Sequence, residues 1–147
     1  MKKTKPDIEW VISNAPIDYN FACDFMKQRA DEIRLKKNKQ LVWLLEHPSI
    51  YTAGTSANPK ELLTPKRFKV YNSGRGGRYT YHGPGQRVAY VLLDLKLHGN
   101  DVRLFISLLE KWLIKTLGDF NIIGQKRSGV VGVWVNKDNF DSVFSKM

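Results

Sequence analysis

The residues Gly74-Arg75-Gly76-Gly77-Arg78-Tyr79-Thr80-Tyr81-His82-Gly83-Pro84-Gly85-Gln86 concentrate the chain's capacity for chemistry. Glycine lets a ligand approach the main chain closely. The interleaved arginines, tyrosines, threonine, histidine and glutamine supply hydrogen bonds that would fix its orientation. Such a segment suits a flat or anionic ligand lying against backbone N–H groups. Downstream of His98 the sequence contains neither cysteine nor histidine, so a nucleophile of either type is missing there.

Several better-known loops do not fit. Arg75-Gly76-Gly77-Arg78-Tyr79 has the composition of an arginine-glycine RNA-binding element, but it occurs once, between two strand candidates, rather than in biased repeats. A phosphate-binding loop needs a following Gly-Lys-Ser/Thr and a helix start, and neither is present. A purely structural glycine hairpin leaves the crowd of polar side chains without a reason. His82, forced into a turn by Gly83-Pro84-Gly85, is a candidate pocket residue. His47 and His98 sit alone at element ends and read as structural. Cys23 falls beside the apolar face of a helix and reads as a small buried hydrophobe.

The elements that must position this segment follow from periodicity. Residues 8–12 alternate as a strand, and residues 17–36 place Phe21, Ala22, Phe25, Met26, Ala30 and Ile33 at helical spacing. Residues 40–46 form a continuous apolar strand, 49–53 a short second one, and 68–71 a third. Residues 60–66 read as a polar connector. Residues 87–95 are strongly β-prone. A second helix, capped by Asn100 or Asp101, carries Val102, Phe105, Leu109, Trp112 and Leu113 and stops at Gly118. Residues 130–135 form a last strand, and residues 136–147 show no clear period. The order is that of a mixed α/β or α+β domain.

Composition narrows the class further. The 147 residues are 42% hydrophobic, which suits one globular domain. No apolar run approaches the roughly 20 residues a membrane-spanning helix needs. The basic start lacks the apolar stretch of a secretory signal, so a cytoplasmic location is the expectation. The single cysteine excludes an internal disulfide and a cysteine-rich metal site, and no cofactor is expected. A net charge of +10 implies an acidic partner. Loose basic clusters lie at residues 34–39 and 60–69. Nucleic-acid binding would rest on this charge alone, and neither nucleic acid nor membrane is an expected partner.

The pattern Arg75-Gly76-Gly77-x-x-Thr80-Tyr81-His82-Gly83-Pro84-Gly85-Gln86-x-Val88-x-Tyr90 resembles the signature of the octanoyltransferases, also called lipoate-protein ligases B. Leu44-Leu45-Glu46-His47-Pro48, Tyr51-Thr52-Ala53-Gly54-Thr55-Ser56, residues 90–95 and Gly132-Val133-Trp134-Val135 agree in order and spacing. The resemblance runs from about Trp10 to Val135. It implies a biotin/lipoate ligase-like catalytic domain, a mixed sheet with flanking helices. It also implies transfer of an octanoyl group from octanoyl-acyl carrier protein to a lysine of lipoyl domains in 2-oxoacid dehydrogenases or glycine-cleavage protein. Arg75, Gly76, Gly77, Arg78, Tyr79, Thr80, Tyr81 and His82 would then line the acyl-substrate pocket.

The resemblance also implies a cysteine nucleophile and a lysine that lowers its pKa, both placed after the Trp-Val strand. Residues 136–147 match neither. Lys137 and Lys146 lack the family context, and Cys23 lies on the first helix. The expectation is therefore a single domain over residues 1–147 that lacks its C-terminal strands, exposes an apolar edge or face, and is catalytically inactive. A non-catalytic module binding acyl carrier protein or lipoyl domains is the alternative.

Overall fold

The computed structural model of the chain describes residues 7–136, apart from the side chains of residues 130 and 131. These residues form two compact units divided between Asp94 and Leu95. The period-free residues 137–147, with Lys137 and Lys146, lie outside the described residues.

The first unit is built around β2 (Gln40–Leu45), which lies between β1 (Ile8–Ile12), parallel to it, and β6 (Val88–Leu92), antiparallel. A strand flanked on both sides and covered on its faces has no solvent side, which explains the unbroken run Leu41-Val42-Trp43-Leu44-Leu45. Helix α1 (Tyr19–Arg34) starts where the Asp18 carboxylate accepts from the Phe21 amide at 3.0 Å. It lays Ala22, Phe25 and Met26 against Leu41, Trp43 and Leu45. The predicted helix face holds at Ala22, Phe25, Met26 and Ile33 but not at Ala30, which is exposed, nor at Phe21, which lies outside and stacks on Phe25.

The second sheet of this unit has the order β4 (Lys69–Asn72), β3 (Ile50–Ala53), β5 (Tyr79–His82), with β3 parallel to β4 and antiparallel to β5. Strand β5 was hidden by its surroundings. Tyr79-Thr80-Tyr81-His82 has strand propensity, but the glycines on both sides make the whole segment read as loop. The connector at residues 60–66 is also more ordered than its polarity suggests. Pro59–Glu61 is a turn of 3-10 helix, with the Asn58 side chain accepting from the Lys60 amide at 3.1 Å.

In the second unit, helix α2 (Val102–Asp119) is capped by Asp101, whose Oδ1 accepts from the amides of Arg103 and Leu104 at 2.8 and 3.0 Å. It packs with a hairpin of β7 (Gly124–Arg127) and β8 (Val130–Val135). Polar Gln125-Lys126-Arg127 gives no alternating signal, so β7 is legible only from its pairing. Lys126 holds the hairpin to the helix through Glu110 at 2.6 Å and Ser107 Oγ at 2.9 Å. Strand β6 ends at Leu92, short of the predicted residue 95, and Leu95–His98 turns into 3-10 helix.

The two units differ in burial. Every fully buried residue among those described belongs to the first unit. In the second, Val102 and Leu113 of the predicted helix face are exposed, as are Leu104, Leu108, Phe120, Ile123 and Trp134. Leu41→Ala or Leu45→Ala should cost about 2–5 kcal/mol of unfolding free energy. Leu104→Ala or Leu108→Ala should stay within about 0.5 kcal/mol. Urea denaturation of the four variants measures the contrast.

Candidate functional site

The glycine-rich segment is pinned to the end of β3 main chain to main chain. The amides of Gly54, Thr55 and Ser56 donate to the carbonyls of Arg78, Arg75 and Gly77 at 3.1, 3.0 and 3.1 Å. A Cβ at Gly54 would overlap the Gly77 carbonyl, so only glycine admits this approach. Gly77 has φ +87°, in the left-handed region. Arg75 completes the turn from inside. Its Nη2 donates to Thr52 O at 3.1 Å, Thr52 Oγ1 at 2.8 Å, Arg78 O at 3.1 Å and Thr80 Oγ1 at 2.8 Å. The two N–H groups of Nη2 are shared among these acceptors, while Nη1 donates to Gly76 O at 3.0 Å, so both arms of the guanidinium are engaged.

Alternation along β5 then divides the predicted residues between two faces. Thr80 and His82 share the inward face with Thr52, while Tyr79 and Tyr81 point the other way. His82 Nδ1 donates to Gln86 Oε1 at 3.0 Å, which leaves Nε2 as the acceptor facing Thr52 Oγ1 at 3.4 Å. Burial, with some opposition from the Gln86 bond and help from His47 and Arg75, holds the His82 pKa below the usual histidine range. Tyr81 instead places its hydroxyl 3.1 Å from Ser49 Oγ. Arg78 leaves the cluster for a surface ion pair with Glu61 at 2.6 Å. Gly76 borders open space.

The residue that sequence reading set aside proves central. His47 is wholly buried. Its Nδ1 meets the Ile17 carbonyl at 2.7 Å and must donate to it, so in the neutral ring Nε2 accepts from the Tyr90 hydroxyl at 2.8 Å. Its ring stands edge-on to His82 at 5.8 Å and to Tyr19 at 5.4 Å. Burial pushes the Tyr90 phenol well above its usual range, keeping the hydroxyl a donor. The Tyr19 phenol is also raised, first by burial and then by the neighbouring Cys23 thiol. Cys23 is therefore half-buried beside two phenols rather than a fully buried core residue. The signal for His47 was available: it sits in the matching segment Leu44-Leu45-Glu46-His47-Pro48, whose Glu46 also accepts from the Gly85 amide at 2.9 Å.

This geometry is a polar cradle. Arg75, Thr52, Thr80, His82 and Gln86 form one hydrogen-bonded network under a glycine turn, with no charged carboxylate among them, and the separate His47–Tyr90 pair meets it through the edge-on contact of the His47 and His82 rings. Its polar atoms are of the kind that hydrogen-bond a polar ligand group.

Residues 18–142 match the lipoyl protein ligase A/B catalytic domain family. The chain belongs to that family. Among its relatives are octanoyltransferases of Brucella suis, 58% identical over 88% of this chain and 49% of the relative, and of Paramagnetospirillum magneticum, 57% identical over 88% and 61%. A third, from Bartonella bacilliformis, is 52% identical over 95% of this chain and 58% of the relative. The chain thus spans about half the length of the curated relatives it matches. A solved structure from T. acidophilum, described as a candidate lipoate protein ligase, shares the fold with a TM-score of 0.58 at 15% identity, over 88% of this chain and 55% of its own. The predicted biotin/lipoate ligase-like architecture, with mixed sheets and flanking helices, is the one observed. Among the described residues no helix is long and apolar enough to cross a membrane.

Two measurements check the cradle. Arg75→Lys should speed hydrogen exchange at the amides of Gly54, Thr55 and Ser56 by at least about tenfold, because each lost loop contact weakens their cover by about 1 kcal/mol or more. The His82 shift fixes a pH dependence. The folded state holds this proton less tightly than the unfolded chain, so stability falls as pH drops below about 6.5 and levels off below the folded pKa. His82→Gln should lose less stability than the parent between pH 7.5 and pH 5 in parallel urea titrations.

Proposed function

We propose that the cradle around residues 75–82 binds the octanoyl thioester of octanoyl-acyl carrier protein, and that the chain carries the acyl-binding part of an octanoyl transfer to a lipoyl-domain lysine. Arg75, Gly76, Gly77, Arg78, Tyr79, Thr80, Tyr81 and His82 are its proposed substrate segment. Arg75, Thr80 and His82 act at the cradle face, and the others shape or flank it. The network that joins Arg75 to His82 through Thr52 carries this reading. It is prebuilt, uncharged at its acceptors, and follows a glycine turn open at Gly76.

In the reaction the resemblance implies, a cysteine thiolate attacks the thioester carbonyl. The acyl group passes to sulfur and the carrier's thiol leaves. A lipoyl-domain amine then attacks the new thioester, an amide forms, and the thiolate is restored. The thiolate is the reactive form, and a nearby cation favours it. The chain's one cysteine, Cys23, is on α1, outside the segment after the Trp-Val strand where the family places its nucleophile. We therefore assign it no catalytic role. The 147 residues alone should bind the octanoyl donor without turning it over, whether as part of a transfer site or as a binding module for acyl carrier protein or lipoyl domains. Losing a nucleophile has cost on the order of 10⁶ in kcat in a serine protease.

The experiment is incubation with octanoyl-acyl carrier protein and an apo lipoyl domain, with intact-mass detection of both proteins. The expected outcome is no acylated lipoyl domain and no octanoyl adduct on Cys23. Multiple turnovers, abolished by Cys23→Ser, would overturn the assignment.

A further inference from the structure

We infer that the outward side of the sheet β4-β3-β5, with the segment at residues 60–67 along it, is the docking surface for the acidic acyl carrier protein; the choice of partner rests on the octanoyl-transfer reading above. The charge distribution points there first. Over residues 60–67 the chain carries Lys60, Lys66 and Arg67 but one carboxylate, Glu61. Glu61 is engaged by Arg78 at 2.6 Å. Among the described residues, no carboxylate pairs with Lys60 or Lys66.

The second observation is apolar. Leu63, three residues from both Lys60 and Lys66, is 91% exposed. The segment is not loose: the Tyr51 hydroxyl reaches Thr64 Oγ1 at 3.2 Å, and Phe68 packs on Tyr51 and Tyr81, each at 5.5 Å. An exposed leucine in a segment with cations on both sides of it in sequence matches a protein surface that presents an apolar residue among carboxylates. It is a poor match to nucleic acid. The aromatic rings here stand edge-on or tilted to one another, and the Arg67 guanidinium covers Phe68 at 5.1 Å, so no clean face is offered to a base. Strand β5 explains why the partner is the acyl donor. Its inward residues Thr80 and His82 belong to the cradle and its outward Tyr81 to this surface, so a carrier docked here stands one strand from where its cargo binds.

The test is titration of octanoyl-acyl carrier protein onto the full chain at low and at physiological salt. The variant Lys60→Glu/Lys66→Glu/Arg67→Glu should weaken binding about tenfold or more and flatten its salt dependence. Leu63→Ser should weaken it about tenfold or more, by about the value of one buried side chain's contact. Lys27→Glu/Lys37→Glu/Lys115→Glu changes net charge equally on other elements and should shift binding by under about twofold. Octanoyl-pantetheine, which has no protein surface, should bind parent and triple variant alike. Equal losses from the two triple variants would overturn the proposal. So would a larger loss for apo lipoyl domain or single-stranded DNA than for the carrier. If the parent fails to bind octanoyl-pantetheine while the carrier still binds through the patch, the docking surface stands and the cradle reading fails.

Discussion

A side chain at position 54 would occupy the space of the Gly77 carbonyl, and three successive amides depend on that space staying empty. Because Gly54 lets the chain at residues 75–78 lie flat on the end of β3, the Arg75 guanidinium reaches Thr52 and Thr80 from within the turn. Because Thr52 is held there, its hydroxyl can serve His82. The cradle is thus a consequence of one backbone approach. Its rigidity comes from hydrogen bonds worth about 0.5–1.5 kcal/mol each, and they act together because a single guanidinium joins four acceptors.

His47 plays the corresponding part on the other side. A buried imidazole with an unmet nitrogen would be costly. Here the carbonyl before α1 and the hydroxyl on β6 satisfy both nitrogens, so the ring ties the helix start, the end of β2 and the last strand of that sheet at one point. The edge-on contact with His82 carries that constraint to the second sheet. Tyr19 and Tyr71, with rings 4.9 Å apart, close the same space. What the cradle presents to a ligand is accordingly set by residues from α1, β2, β3, β5 and β6, not by the glycine-rich segment alone.

This dependence explains what the sequence revealed and what it withheld. The apolar run at residues 41–45 and the helical spacing of Ala22, Phe25 and Met26 disclosed the first unit's core, because both periods reflect burial directly. Asp101 disclosed the start of α2 because a capping carboxylate acts locally. The glycine-rich segment marked the candidate cradle but concealed β5, since flanking glycines erase the propensity signal of four residues. Strand β7 gave no signal because Gln125, Lys126 and Arg127 owe their conformation to β8 and Glu110. His47 read as structural, and its hydrogen bonds do serve structure. Its position beside His82 is a tertiary fact that no local pattern contains.

The split of β5 into two faces also bears on what the segment's unusual composition is for. A substrate loop alone would not need Tyr79 and Tyr81 on the side away from the cradle. A strand that is both the wall of one site and part of an exterior surface needs polar cradle residues at one parity and aromatic residues at the other. The pattern Tyr79-Thr80-Tyr81-His82 has this form. The second parity keeps Tyr81 packed on Tyr51 and Phe68, and that packing orders the cationic segment beside it. On the proposed reading, two demands meet on this one four-residue strand.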